Sequence, residues 1–209
     1  MPRNPRIAIG DTVYHVLNRG NGRRTIFANE KDYQHFETLL VEANELLDMR
    51  ILAYCLMPNH WHLVLYPKKD KDLSEFMRWL TTTHARQYRV KTKSIGHGHL
   101  YQGTYKSFPI EGDMHLTTVL RYVEQNPLRA KLVNRAQDWE YSSLHRRLNG
   151  TPKQKKLLAK LPTTLPHHYL KEVNTLYDKD ELTNIRNSVQ KGIPYGDEEW
   201  VAQFVKKKG

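Results

Sequence analysis

Apolar residues recur along the chain with two different periods, and the first half switches between them in a definite order. Alternation over residues 12–18 predicts a strand, closed by the Gly-rich basic turn Arg19-Gly20-Asn21-Gly22-Arg23-Arg24. From Asn29 the spacing of Phe36, Leu39, Leu40, Ala43, Leu46 and Leu47 predicts a helix. Two more strands follow, Ile51 to Met57 and His60 to Tyr66, joined through Pro58-Asn59 and ended by Pro67 and the charged run 68–72. A second helix starts near Leu73, with Phe76, Met77 and Leu80 on one stripe and Arg86, Arg89, Lys91 and Lys93 toward its far end. After the loop Gly96-His97-Gly98-His99 comes a fourth strand around Tyr105 to Ile110. Asp113 is placed to cap a third helix from Met114 to about Asn126, which Pro127 interrupts.

Strand, helix, strand, strand, helix, strand is the ferredoxin-like order. It predicts an α+β fold, a ferredoxin-like antiparallel sheet with helices on one face, over residues 1–128. Beyond this the pattern is short helices separated by prolines at 152, 162, 166 and 194. Residues 129–209 therefore read as a C-terminal helical extension, packed on the first domain and without an independent core.

With 39% hydrophobic residues the 209-residue chain can bury a real core. No stretch approaches the roughly 20 apolar residues of a membrane span. The polar start Met1-Pro2-Arg3-Asn4-Pro5-Arg6 lacks the apolar segment of a secretory signal. A single cysteine, Cys55, excludes an intramolecular disulfide and a Cys-based zinc site. Cytoplasmic placement is the expectation. Charge narrows the partner: 33 Lys and Arg against 22 Asp and Glu leave +11, with a pI near 9.6. The excess is +4 over residues 1–128 and +7 over residues 129–209. A polyanion such as nucleic acid suits this balance, because each cation placed on a phosphate releases condensed counterions. A basic protein with no nucleic-acid role is the alternative on charge alone.

Candidate chemistry begins at His60-Trp61-His62. In a strand His60, His62 and Val64 share one face, while Trp61, Leu63 and Leu65 share the other and read as core. The two imidazoles would stand roughly 6–7 Å apart at Cβ, close enough to chelate one ion. Among 11 histidines, chance pairs are expected; His97-Gly98-His99 is one, set between glycines where nothing fixes the rings. On the third helix Tyr122 and Asn126 are four apart and share a face. An amide oxygen from Asn126 could complete a two-histidine site with the phenol beside it, or Tyr122 could simply be core. Arg121 and Arg129 flank this face, as phosphate contacts or as solvated arginines.

Two runs carry a resemblance: Met57-Pro58-Asn59-His60-Trp61-His62-Leu63-Val64 and Tyr122-Val123-Glu124-Gln125-Asn126-Pro127-Leu128-Arg129-Ala130. They resemble the IS200-like transposases and, more narrowly, the REP-associated tyrosine transposases of the HUH endonuclease superfamily. Residues 14–20 (YHVLNRG), 98–103 (GHLYQG), 192–196 (GIPYG) and Trp200 support the likeness, which spans nearly the whole chain. It implies His60, His62 and Asn126 as metal ligands and Tyr122 as the catalytic nucleophile. Glu124-Gln125, Thr104 and the bulky Trp61 depart from the usual pattern, leaving the details of DNA contact open.

The resemblance further implies a metal-dependent single-stranded DNA endonuclease and strand-transferase acting on hairpin-forming repetitive palindromes through a 5′-phosphotyrosine. Ligand softness would suit Zn, Ni or Mn, whereas the family works with Mg2+ or Mn2+, which is the cofactor expected. Arg19, Arg23, Arg24, Arg78, Arg86, Tyr101 and Gln102, with Arg121 and Arg129, are the candidate DNA contacts. The partner is then single-stranded or hairpin DNA and no membrane, with nucleoid association. A monomer is expected, with a dimer as the alternative. A catalytically silent sequence-specific DNA-binding relative competes with this reading, though binding alone needs neither the histidine pair nor Tyr122. A metal-free phosphoesterase would need two His-x-Ser/Thr motifs, and only His115-Leu116-Thr117 fits.

Overall fold

A computed structural model describes residues 8–96, 98–112 and 114–208. The expectations for Met1–Arg6, for His97 and for Asp113 as a cap lie outside the described residues.

Four strands form one antiparallel sheet: β1 (Val13–Arg19), β2 (Arg50–Met57), β3 (His60–Tyr66) and β4 (Lys106–Ile110), in the order β2-β3-β1-β4. Helix α1 (Glu30–Leu47) joins β1 to β2, and α2 (Asp72–Lys91) joins β3 to β4. The expected α+β ferredoxin-like arrangement is thus the one observed. At the start of α1 the Asp32 carboxylate accepts from the Ala28 and Asn29 amides, satisfying donors that the first turn leaves without partners.

Alternation distributes the strand side chains over two cores. Tyr14, Val16, Tyr54, Leu56, Trp61, Leu63 and Leu65 meet Phe36, Leu39 and Leu40 of α1 and Phe76, Met77 and Leu80 of α2. The opposite face carries Val13, Ala53, Cys55, Val64 and Phe108, covered by Leu116, Val119, Leu120 and Val123 of α3 (Met114–Glu124). The two helices of the ferredoxin-like unit share one face, as expected; the third lies against the other.

Short α4 (Asn126–Arg129) follows α3, and then α5 (Ser143–Asn149), α6 (Pro152–Lys156), α7 (Tyr169–Asn174), α8 (Lys179–Lys191) and α9 (Glu198–Lys208). Their apolar side chains enter the two cores already described: Leu157 and Phe204 join the first, and Leu144, Tyr169, Val173, Tyr177 and Ile185 the second. The segment also seals both margins of the sheet. On the β2 side the Leu56 amide donates to Tyr141 O (2.9 Å), Trp139 Nε1 to Leu56 O (2.9 Å), and the Ala159 amide to Ile51 O (2.9 Å). On the β4 side the Tyr195 amide donates to Pro109 O and the Glu111 amide to Tyr195 O, both at 2.9 Å. The Gly192–Gly196 run explains itself here: Gly192 ends α8 at φ 68°, and a Cβ on Gly196 would meet the Trp200 ring at 2.5 Å. Among the described residues no helix is long and apolar enough to cross a membrane.

Candidate active site

Pairing of β1 with β3 sets Leu17 opposite His62, Arg19 opposite His60 and His15 opposite Val64. Because directly paired residues share a face, Arg19, His60, His62 and His15 all stand on the α3 side of the sheet. His62 is buried and His60 half-buried, their ring centres 5.1 Å apart. The Asn59 amide nitrogen donates to Arg23 O (3.2 Å), which turns its oxygen toward His60 Nδ1 at 2.6 Å. A carboxamide oxygen only accepts, so His60 carries its proton on Nδ1 and keeps Nε2 as a lone pair. His62 Nδ1 lies 2.8 Å from His15 Nε2.

Burial holds these rings neutral. Desolvation, with the nearby Arg19 and Arg129 charges, lowers the His60 pKa to about 4. His62 is pushed well below its ordinary value by burial first and then by His15, His60 and the two arginines. Burial takes His15 to about 3. Neutral imidazoles are what a metal ligand requires. The paired histidines, each with Nδ1 already engaged, fit a divalent cation at Nε2. Among the described residues no three His, Cys, Asp or Glu side chains are placed to hold one metal ion together, His15 being turned to His62 Nδ1, so a third protein ligand would be of another type.

Helix α3 brings Tyr122 edge-on to both buried rings, 5.9 Å from His62 and 6.1 Å from His15 between ring centres. The Arg129 guanidinium carbon sits 4.2 Å over the centre of the Tyr122 ring. Asn126 behaves in a way its spacing did not announce. Pro127 has no N–H to donate to the Val123 carbonyl four residues back. The Asn126 side-chain nitrogen takes that place at 3.2 Å, and also reaches Tyr122 O at 3.1 Å. With the nitrogen so committed, its oxygen is the end held by Arg129 Nη2 at 2.7 Å. The expected third ligand therefore offers one remaining lone pair beside a guanidinium. It is not a free carboxamide.

The candidate DNA contacts divide. Arg19 is half-buried at the site, its Nε without a partner among the described residues. Arg23 and Arg24 are exposed on the turn after β1. Arg78 and Arg86 line a cavity of about 770 Å³ with Arg89, Asn18 and Gln102. It adjoins the site through the Gln102 amide, which donates to Arg19 O at 2.9 Å. Tyr101 needs correction as an open stacking surface. It is buried, its hydroxyl accepting from Trp61 Nε1 (3.1 Å) and lying 2.5 Å from His84 Nδ1, because it closes the core under the cavity. Arg121 is likewise committed elsewhere, donating to Thr175 O (2.7 Å) and lying 3.8 Å over the Tyr177 ring, where it fastens the extension.

Of the departures from the family pattern, Thr104 lines the cavity beside the site, while Glu124, Gln125 and Trp61 are engaged away from the histidines. Glu124 is buried and accepts from Ser143 Oγ (2.6 Å) and the Tyr169 hydroxyl (2.8 Å); Gln125 donates to Val173 O and Thr175 O. Both anchor the extension. Trp61 lies on the other face of the sheet altogether. Sequence reasoning passed over His15 as a site residue. Its only local signal is shared parity with Leu17 and Arg19, and that becomes a signal only once the β1–β3 register is known.

Comparison with known proteins places the chain in a family. A relative in Haemophilus influenzae named for the REP-associated tyrosine transposases is 26% identical, over 55% of this chain and 70% of its own. The REP-associated tyrosine transposase of Escherichia coli K12 is 23% identical, over 66% of this chain and 78% of its own. A solved structure of a REP-associated tyrosine transposase bound to a REP hairpin shares the fold, with a TM-score of 0.57 at 20% identity, over 71% of this chain and 85% of that one. The profile of the IS200-like transposases matches residues 8–126, from β1 through the Tyr122–Asn126 turn, and the chain belongs to that family.

Proposed function

We propose that this transposase-family protein is a metal-dependent endonuclease and strand-transferase for single-stranded DNA, acting beside hairpin-forming palindromes through a 5′-phosphotyrosine. The observation that carries this reading is the meeting of Tyr122, His62 and Arg129 in one small space. Tyr122 is 6% exposed and its hydroxyl makes no hydrogen bond among the described residues, which suits a nucleophile.

His60 and His62 would hold Mg2+ or Mn2+, with the Asn126 oxygen as third ligand. Once bound, such an ion polarises a non-bridging phosphate oxygen as a Lewis acid. Tyr122 Oη attacks the scissile phosphorus in line and gives its proton to solvent. The bond from phosphorus to the 3′-oxygen breaks, its electron pair stays on that oxygen, and solvent protonates it. A later 3′-hydroxyl reverses these steps, forming a new phosphodiester and returning Tyr122. Arg129 and Arg19 supply positive charge where the phosphate must lie, and both lower the His60 and His62 pKa values because they are close. Tyr122 and the histidines it meets come from one chain, so a monomer would suffice as the active unit.

The unpaired segment would enter the cavity lined by Arg78, Arg86 and Gln102 beside the site. Exposed Lys153, Lys155 and Lys156 of α6 would meet the phosphates of the stem. The test is incubation with a labelled hairpin bearing a single-stranded flank, with Mg2+ or Mn2+, followed by a denaturing gel. A covalent adduct that disappears with Tyr122→Phe is expected. Hairpin binding without any adduct would establish the silent DNA-binding reading in its place.

A further inference from the structure

His15 is fully buried on β1 and lies edge to edge with His62, ring centres 5.0 Å apart and planes 18° from parallel. Its Nε2 meets His62 Nδ1 at 2.8 Å. Its other nitrogen, Nδ1, has no partner among the described residues and stands near the Phe108 ring, 4.9 Å away between centres. A residue placed here for packing alone has no need of a ring nitrogen, yet His15 buries one, Nδ1, without a partner.

The contact admits two neutral arrangements. In one, His15 donates from Nε2 and His62 must carry its proton on Nε2, which closes that nitrogen to any ion. In the other, His62 donates from Nδ1 and its Nε2 is left as a lone pair. His60 has this second arrangement imposed by the Asn59 oxygen. His62 lies deeper, and on that side its partner is His15.

We propose that His15 is a positioning residue: it accepts the Nδ1 proton of His62 and so presents His62 Nε2 to a divalent cation. This rests on the metal reading given above. It extends that reading by one residue and makes the ligand pair a pair of hydrogen-bonded histidines, His60 on Asn59 and His62 on His15. The in-plane hydrogen bond both restrains rotation of the His62 ring and fixes which nitrogen is protonated.

The experiment uses the full chain, Mn2+ alone as the probe, and four proteins: parent, His15→Phe, His15→Gln and His62→Ala. Mn2+ affinity is read by calorimetric or spin-resonance titration, and the His62 tautomer by long-range nitrogen-proton NMR of the metal-free parent. We expect the parent to carry the His62 proton on Nδ1. His15→Phe, which leaves the His62 Nδ1 proton without an acceptor, should lose about 10- to 100-fold in Mn2+ affinity. His15→Gln, which returns an acceptor near the Nε2 position, should recover most of that loss. Parent-like Mn2+ binding by His15→Phe, while His62→Ala abolishes it, would overturn the proposal. So would a His62 proton found on Nε2 in the parent, a test that holds even if the phenylalanine variant fails to fold. Mn2+ binding untouched by His62→Ala would instead remove the metal reading beneath it, a distinguishable outcome.

Discussion

The guanidinium of Arg129 sits over the ring of Tyr122, its central carbon 4.2 Å from the ring centre, while one of its nitrogens holds the Asn126 oxygen at 2.7 Å. A cation against the face of a phenol is attracted to the electron-rich ring, so the two side chains hold each other in place. Its Nη1 is buried without a partner among the described residues, so it can still donate to an arriving anion.

Arg129→Ala is therefore expected to slow single-turnover adduct formation by about 100-fold or more, the scale seen when one oxyanion donor is removed. Arg129→Lys should recover little, because an ammonium cannot sit over the ring and hold Asn126 together. Quench-flow on a labelled hairpin measures both. A loss explained wholly by weaker hairpin binding would place Arg129 in recognition and not in the attack.

Arg78 and Arg86 are exposed along the cavity beside the site. If they meet phosphates of an unpaired strand, each removal should lower the slope of log K against log salt by about 0.7. Arg78→Ala and Arg86→Ala should weaken binding of different flanking sequences alike, as phosphate contacts do. Fluorescence anisotropy over a range of salt concentrations reads both effects. An unchanged slope in the double variant would clear the cavity of this role.

Glu124 is buried, and desolvation raises its pKa, the hydroxyls of Ser143 and Tyr169 and the charge of Arg147 offsetting only part of this. An unfolded glutamate releases its proton near pH 4.3. The native carboxyl keeps it to higher pH, so between the two values the folded state binds more protons. Stability present at lower pH is then lost as pH rises through the native value. Glu124→Gln should gain melting temperature relative to the parent as pH rises through this window. Glu124→Ala should lose at every pH, because two buried hydroxyls lose their acceptor. Calorimetric melts from pH 4.5 to 8 separate the two.

A chain ended after Ala130 should fail as a reagent. It would expose the β2 margin at Leu56 and Ile51 and the β4 margin at Pro109, with apolar surface beside each. Unpaired strand edges of this kind associate. Light scattering at micromolar concentration should report aggregates; a soluble monomer with native-like circular dichroism would contradict this. Point changes at Lys153, Lys155 and Lys156 are accordingly the sounder probe of DNA contact by the extension.

The first 128 residues are legible because their apolar periods are clean: Trp61, Leu63 and Leu65 alternate against His60 and His62 as the strand demands. His15 was not, because its meeting with His62 depends on how two strands slide past each other. Asn126 gave half its story, since spacing places it one turn beyond Tyr122 but does not show that Pro127 leaves a carbonyl for it to satisfy. Glu124 and Gln125 looked like departures near the nucleophile for a similar reason. Their partners, Ser143, Tyr169, Val173 and Thr175, come from a region whose docking surface no local pattern reveals.

Between His60 and His62 stands Trp61, pointing the other way, its indole nitrogen tied to Tyr101, whose hydroxyl in turn meets His84. This anchor works like the back plate of a hinge that has been screwed shut. Twisting the strand to move one imidazole relative to the other would tear a buried indole out of its socket. The gap between the two rings is consequently a gauge cut during folding, before any guest arrives. If the pair holds an ion as proposed, one of unsuitable radius would have to strain the opposite core to be seated.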